Sequence, residues 1–450
     1  MTVVWTSEQV LALSPDASST QNGKALANVS KWQLLGCSEQ AVWGECKGSG
    51  KKPYRTQIDL SEPAFRCSCP SRKFPCKHAL GLFLLLAEQA SVFSQSSPPD
   101  WVTEWLTKRS QTTAQKQETS KKAAIDPLAQ TKRAAKRTAK VEAGLVDLHQ
   151  WLQDILRHGL ATLPNQPYSF WDQTAARLVD AQAPGLARRV RSLASIPHSG
   201  EGWPERMLQA LGQLHLLIQG YGQLASLTPA LQAEVRSQIG WTSSQDELRL
   251  RITAADPLVA CVEDAWQVLG KVVTEEENLQ VQRVWLWGKT HRQTALVLNF
   301  AHGRQPLDVS LIPGTTFMGK LIFYPGTGIQ RAFVDTREEP LAHWLVQEFG
   351  TEQIEPAIAR YAQALSQNPW LVEFPLTLHQ VVPRHQDDAW WLQDAGGQVL
   401  PLAPRFEQGW EILAVSGGQP LTVFGEWDGA TLLPLSFWTE TQFMTLGGPT

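Results

Sequence analysis

The middle of the chain repeats apolar residues at helical spacing. Within residues 145–156 they recur at intervals of three, four and seven, which is typical of the buried face of an amphipathic helix. These positions are Leu145, Leu148, Leu152, Ile155 and Leu156. Pro and Gly residues delimit further helical segments at about 172–182, 185–195, 204–218 and 229–239. The pattern predicts a central helical domain at residues 141–250.

Beyond residue 256 the pattern changes to that of β-strands. Residues 279–288 are rich in Val, Leu and Trp, and residues 294–301 follow a turn-like KTHR sequence, so the two segments predict a hairpin. We expect further strands at about 320–326, 371–382, 388–393, 398–402, 409–415, 420–426 and 431–438. Helices are expected at 338–349 and 352–366. The whole predicts a mostly β domain at 256–450 with a helical insertion.

The segment 89–140 connects the N-terminal module at residues 1–88 to the helical domain. It lacks the apolar periodicity of a helix or a strand. From Lys108 to Lys140 it contains ten Lys or Arg residues against two acidic residues, a local net charge of +8. Gln, Thr, Ser and Ala fill the rest. We therefore predict a flexible basic linker, whose Ala/Lys/Arg-rich second half has helical tendency.

Composition and charge exclude several classes of protein. The net charge of −3 gives no overall attraction to nucleic acid or membrane, so any such attraction is local. No run of 18 apolar residues occurs, and the N-terminal MTVVWTSEQV lacks the basic and apolar regions of a signal peptide. We expect a cytoplasmic protein with no membrane partner. In the reducing cytoplasm we expect its six cysteines to be free thiols or metal ligands rather than disulfides.

The segment 63–86 carries the chemistry of the chain. Cys67, Cys69, Cys76 and His78 follow the spacing C-x-C-x6-C-x-H. Residues two apart in a strand face the same side, and Pro70 and Pro75 bracket a connection that turns the chain back. Three thiolates and one imidazole form a closed tetrahedral set that suits one structural Zn²⁺ and leaves no position for a substrate water.

This pattern, with C-x-H at the start of a helix, resembles the SWIM zinc finger. WGECKGSGKKPY (43–54) followed by FRCSCPSRKFPCKHALGL (65–82) is similar to bacterial SWIM zinc finger family proteins, as are 176–193 and the Trp-containing strands at 279–301. The resemblance implies a small sheet followed by a helix, with the finger at about 54–88 and strands near 40–46, 53–60 and 64–68. The resemblance also implies a gene context, because genes of this family often neighbour those of a MoxR-type AAA ATPase and a von Willebrand A protein.

The expected fold class is therefore α+β multidomain: a small N-terminal ββα-type SWIM zinc finger, a central helical domain and a C-terminal mostly β domain. Cys46 stays an alternative zinc ligand, and the turn at 48–54 stays a candidate phosphate contact. Basic residues around the finger could bind a partner or nucleic acid, or could only solubilise the zinc module. They are Lys51, Lys52, Arg55, Arg66, Arg72, Lys73 and Lys77.

We expect a zinc-binding interaction protein that is not an enzyme. No G-x-S-x-G, H-E-x-x-H or deaminase H-x-E motif is present, and no small-molecule substrate is indicated. A protein partner is favoured by the near-neutral chain, the Trp-rich β domain and the family context, including an AAA ATPase/von Willebrand A-type assembly. The alternative is DNA binding through the basic finger and linker.

Overall fold

The computed structural model confirms three successive regions: a sheet with the finger, a helical bundle and a mostly β part. It describes all residues except 1–4, 6, 12, 16, 48–51, 61–63, 72, 120–126, 277–278, 303–306, 329–330, 342–349, 440–441 and 447–450. In the described part, no helix has the length and apolar character needed to cross a bilayer.

The N-terminal region is a five-stranded sheet with helices on its faces. Its elements are α1 (Ser7–Leu11), α2 (Ala17–Leu26), β1 (Trp32–Cys37), β2 (Ala41–Cys46), β3 (Tyr54–Asp59), β4 (Ala64–Cys67), α3 (Lys77–Glu88) and β5 (Ser94–Gln95). The strand order is β4-β3-β2-β1-β5, and β1 pairs with β5 in parallel. The strands expected near 40–46, 53–60 and 64–68 correspond to β2, β3 and β4.

Helix α3 is the centre of this region because most of its surface is buried. Leu80, Leu82 and Phe83 are fully buried between the sheet and the first two helices. Gly23 and Gly81 let α2 approach α3 closely, since a Cβ on Gly81 would lie 2.6 Å from the Cβ of Leu26. A helix that is apolar on all sides needs cover on all sides, and its burial places its N-terminus at the zinc ligands.

The segment predicted as a flexible linker contains two long helices, α4 (Asp100–Thr119) and α5 (Pro127–His158). Ala, Lys, Arg and Gln are strong helix formers, which explains helix where apolar periodicity is absent. The apolar patch at the start of α4 packs Val102 against Ala41 and Trp43 of the sheet. A short apolar patch at one end is therefore enough to dock a helix whose remaining residues are mostly polar.

The central region is a bundle built from the second half of α5 and the helices that follow. These are α6 (Tyr168–Asp180), α7 (Pro184–Ser192), α8 (Trp203–Gly222), α9 (Pro229–Ile239) and α10 (Gln245–Thr253). Predicted and observed helices overlap from α5 through α9. Their apolar stripes meet in one core around Leu148, Trp171, Leu186 and Leu214, and α10 packs instead on the neighbouring strands through Leu248.

The next five strands close into a barrel. They are β6 (Cys261–Glu276), β7 (Leu279–Gly288), β8 (Gln293–His302), β9 (Thr316–Phe323) and β10 (Arg331–Leu341), in the order β10-β8-β7-β6-β9. Alternate side chains, including Val284, Leu286 and Val297, fill the interior, as the period of two requires. Strand β6 curves around the barrel, with a bulge between Val268 and Gly270, and so pairs with both β7 and β9.

A six-stranded sheet ends the chain. Its elements are α11 (Ile354–Gln367), β11 (Phe374–Gln386), β12 (Ala389–Gln393), β13 (Val399–Pro401), α12 (Gly409–Ser416), β14 (Leu421–Trp427), β15 (Leu432–Trp438) and β16 (Phe443–Thr445). The strand order is β13-β12-β11-β14-β15-β16. Phe424 and Trp438 of this sheet pack against Trp285 and Trp287 on the outside of the barrel.

Two predictions about the mostly β part differ from the structure, and one long strand was not predicted. The strand expected at 409–415 is helix α12, a short apolar run whose length fits either element. The helix expected at 338–349 is β10 as far as Leu341, and 342–349 lie outside the described residues. The 16-residue β6 was not predicted, because its polar residues interrupt strict alternation.

Candidate metal centre

The finger places its four ligands at the ends of two neighbouring elements. Cys67 is the last residue of β4, and Cys69 follows it in the connection. Cys76 is the N-cap of α3, and His78 lies in the first turn of that helix. Pairing of β4 with β3, together with burial of α3, brings the two ligand pairs to one point.

The donor atoms lie at distances that a zinc ion would span. The Cys Sγ atoms and the His78 ring nitrogen are all within 4.8 Å of one another. Nδ1 of His78 is 3.8 Å from Sγ of Cys67 and 4.0 Å from Sγ of Cys76. Tetrahedral zinc with bonds of about 2.0–2.3 Å separates its ligands by about 3.5–3.8 Å. The geometry fits one zinc ion with four protein ligands.

Electrostatics in the site favour a thiolate at Cys76. The hydrogen bond from Cys67, followed by that with His78, lowers the pKa of Cys76 to about 4, although burial opposes the change. The same interaction with Cys76, followed by desolvation, raises the pKa of Cys67. Cys76 also lies at the positive end of the α3 dipole. A cation that replaces the shared protons would satisfy all three thiolates together.

Packing holds the imidazole in place. The ring centroids of Tyr54 and His78 lie 4.9 Å apart, and His78 is buried. The hydroxyl oxygen of Thr56 lies 3.2 Å from Sγ of Cys67. Cys46 is buried in the same core, but its Sγ contacts the carbonyl of Lys47 at 3.7 Å and does not belong to the four-atom group.

The predicted basic residues differ in their exposure and in the contacts that they make. Lys52, Arg66, Lys73 and Lys77 are exposed around the finger. Arg55 is exposed but engaged, since its Nε lies 3.0 Å from a Glu45 oxygen and its guanidinium lies over the ring of Trp101. Lys51, Arg72 and the turn at 48–50 lie outside the described residues.

Sequence reasoning missed that α4 completes this module. Nε of Arg109 lies 3.2 Å from Oδ2 of the buried Asp59, and the Gln57 amide donates to the Trp101 carbonyl. Trp101, Val102 and Leu106 have helical spacing, and that was the available signal. The finger is therefore supported on the side opposite α3 by a helix that belongs to the predicted linker.

Comparison with known proteins identifies two parts of the chain, the finger and the helical bundle. A SWIM zinc finger model matches residues 54–87, which cover β3, β4 and α3 with all four ligands. A model of the SWIM-associated four-helix bundle domain matches residues 136–239, which cover most of α5 and the helices through α9. No curated protein and no solved structure matches the chain. The chain therefore contains a SWIM zinc finger at residues 54–87 and a SWIM-associated four-helix bundle domain at residues 136–239.

Proposed function

We propose that the protein is a non-enzymatic interaction protein whose zinc-folded finger binds another protein. The observation that carries this proposal is the ligand set. Three cysteines and one histidine supply all four positions of a tetrahedral zinc, so no position is open to a substrate water. The ion then serves folding, and function lies on the surface that it holds in place.

The surface around the finger has the composition of a protein contact. Phe74, a large aromatic residue, is 42% exposed. Its ring is held at 6.0 Å from that of Phe65, in an edge-on arrangement. Lys73 and Lys77 lie on either side in the sequence and are exposed. A rigid aromatic ring with cations around it suits an acidic partner surface that has an apolar pocket.

The partner that we favour comes from the family context. SWIM proteins of this type are often encoded beside a MoxR-type AAA ATPase and a von Willebrand A protein. We therefore propose that the finger contacts one of these two in an assembly module. The bundle at 136–239 accompanies the finger in the chain and would hold it at a fixed position within such an assembly.

The test is a pull-down with the tagged full chain, with and without nuclease. We expect nuclease-resistant recovery of the AAA ATPase or the von Willebrand A protein, and loss of that protein with Phe74→Ala. Trp410→Ala is the matched control, because Trp410 is also an exposed aromatic residue, 61% exposed against 42% for Phe74, and it lies far along the chain, on α12. Recovery that is unchanged by Phe74→Ala would contradict the proposal.

Nucleic-acid binding is the second candidate, favoured by exposed Lys52, Arg66, Lys73 and Lys77 around one small module. In that case the affinity for duplex DNA would fall steeply with salt, since each neutralised phosphate releases a counterion. Lys73→Glu would weaken binding by charge reversal, while Phe74→Ala would change it little. Anisotropy titrations of labelled duplex DNA at two salt concentrations separate this from the protein contact.

A further inference from the structure

The order in which the five strands pair around the barrel is that of a known fold. Its first strand, β6, pairs with β7 through residues 266–276 and with β9 through residues 261–267. Strand β8 pairs with β7 antiparallel and with β10 in parallel, and β10 pairs with β9. Around the barrel the order is first, second, third, fifth, fourth. That order, with a bulged first strand, is the five-stranded Greek-key barrel of the OB-fold.

OB-folds bind oligonucleotides or oligosaccharides across their second and third strands and the loops after the first and fourth strands. Here the two strands are β7 and β8, and the described part of the loop after the fourth strand, β9, is residues 324–328. Part of this face is covered, because Trp285 and Trp287 on β7 pack against the C-terminal sheet. The part that stays exposed carries Phe300 on β8, which is 43% exposed.

Phe300 belongs to a cationic and aromatic group that we call the Phe300 surface, made of Phe300, Tyr324 and Arg331. The Arg331 guanidinium lies 5.5 Å from the Phe300 ring and 4.5 Å from the Tyr324 ring. Tyr324 and Arg331 flank the loop after the fourth strand, and their backbones are joined by a hydrogen bond from Tyr324 N–H to the Arg331 carbonyl. All three side chains therefore lie where this fold binds its ligands.

Arg331 is a shielded cation that has no anionic partner in the described structure. Among the described residues it forms no ion pair, and its Nε is buried with no hydrogen-bond partner. Burial lowers the pKa of Arg331, whereas the interaction with Tyr324 raises it and the charge of Arg188 from helix α7 lowers it. A shielded charge is costly unless an opposite charge compensates it. The group that completes the surface is thus an anion within reach of an aromatic ring.

We infer that the Phe300 surface binds single-stranded nucleic acid, with a phosphate at Arg331 and a base stacked on Phe300. The Arg331 cation favours an anionic ligand over the neutral oligosaccharides that the same fold also binds. A duplex hides its base faces within the stack, whereas a single strand offers one to each exposed ring. This site is separate from the finger, and it stands whether or not the finger binds protein.

The experiment uses the full zinc-loaded chain and fluorescein-labelled oligo(dT) and oligo(U). The strands are longer than the roughly 4–16 nucleotides that one OB-fold covers. Anisotropy is measured at low and at high salt, with a duplex of equal length for comparison. The two single strands show whether DNA, RNA or both are bound.

The variants are Phe300→Ala, which removes the stacking ring, and Arg331→Lys, which keeps the charge but loses the planar guanidinium. Trp410→Ala is the control for loss of an exposed aromatic residue. We expect Phe300→Ala to weaken single-strand binding roughly 5- to 100-fold, and Arg331→Lys to weaken it less. The circular dichroism melting curve of each variant shows that the barrel is intact.

Three results would overturn the inference. One is the absence of single-strand binding at low salt, and another is binding that folded Phe300→Ala leaves unchanged. The third is binding that is lost with Lys73→Glu but kept with Phe300→Ala, which would place it at the finger. If the pull-down recovered no protein partner while single-strand binding stayed intact, the proposed protein contact would be wrong and the inference about the Phe300 surface would stand.

Discussion

The finger and the contact between the barrel and the C-terminal sheet are stabilised in opposite ways. The connection from Ser68 to Phe74 exposes most of its described residues and has little apolar surface to bury. A metal bound by the four ligands in and beside this connection would hold it in place. At the other contact, Trp285, Trp287 and Phe424 are buried together, and Arg283 forms an ion pair with Glu426. Small loops need a cross-link, whereas strands that present wide aromatic faces need only packing.

Metal removal gives the largest expected effect and separates the two regions. Structural zinc in small fingers is worth about 10–16 kcal/mol of apparent binding free energy. Cys76→Ser, or a chelator on the unmodified chain, should abolish bound zinc and open residues 64–88 to hydrogen exchange. The barrel strands should stay protected, because their core does not include the ligands.

Two cysteine controls accompany this prediction. Cys37→Ala removes a buried thiol outside the four-atom group and should keep one zinc per chain. Cys46→Ala tests the alternative ligand, and we expect zinc to be retained. If Cys76→Ser still bound one zinc while Cys46→Ala did not, the ligand assignment would be wrong.

The second prediction concerns the ion pair between barrel and sheet. The guanidinium of Arg283 donates to both oxygens of Glu426 at 2.8 Å, and the Trp285 indole donates to the same carboxylate at 2.8 Å. The Arg283 and Glu426 side chains are 10% and 3% exposed. Glu426→Ala leaves a shielded cation without its main partner, so we expect a loss of about 3–5 kcal/mol in the free energy of unfolding.

Urea denaturation, with hydrogen exchange in β7 and β14 to localise the change, measures this loss. The double variant Arg283→Met with Glu426→Leu removes both charges and should regain most of the stability, because packing is the main force at this contact. A double variant no more stable than Glu426→Ala would mean that the charges themselves hold the two parts together.

The smallest effect is expected at the surface of the finger. The Arg55–Glu45 pair has a similar separation of 3.0 Å, but its side chains are 56% and 20% exposed. Solvent screens such a pair, so Glu45→Gln should change the free energy of unfolding by no more than about 1 kcal/mol. The same urea titration measures it, and a loss near that of Glu426→Ala would refute the role assigned to burial.

Local patterns allowed correct predictions where one short segment contains all the information. The ligands lie between Cys67 and His78, and the spacing alone indicated a zinc site. The helices from α5 through α9 carry their own apolar stripes, which pack into a common core. In each case the chemistry and the period are present within one stretch of sequence.

Predictions failed or were missing where the partner is distant in the chain. Helix α12 was expected as a strand, since eight residues of mixed apolar character suit either element. The docking of α4 depends on Trp43, and the burial of Trp285 depends on Phe424. Nothing within 279–288 indicates that one of its faces fills a barrel while the other packs against a second sheet.

By itself the sequence determined the metal, its ligands and the succession of finger, helices and strands, because coordination chemistry and periodicity act over a few residues. Tertiary structure alone decided that five strands close in the order of an OB-fold. It also decided that Arg283 finds a carboxylate, whereas Arg331 lies near two rings and forms no ion pair within the described part of the chain. Strand order and the pairing of charges depend on contacts between distant residues, and local pattern carries no record of those contacts.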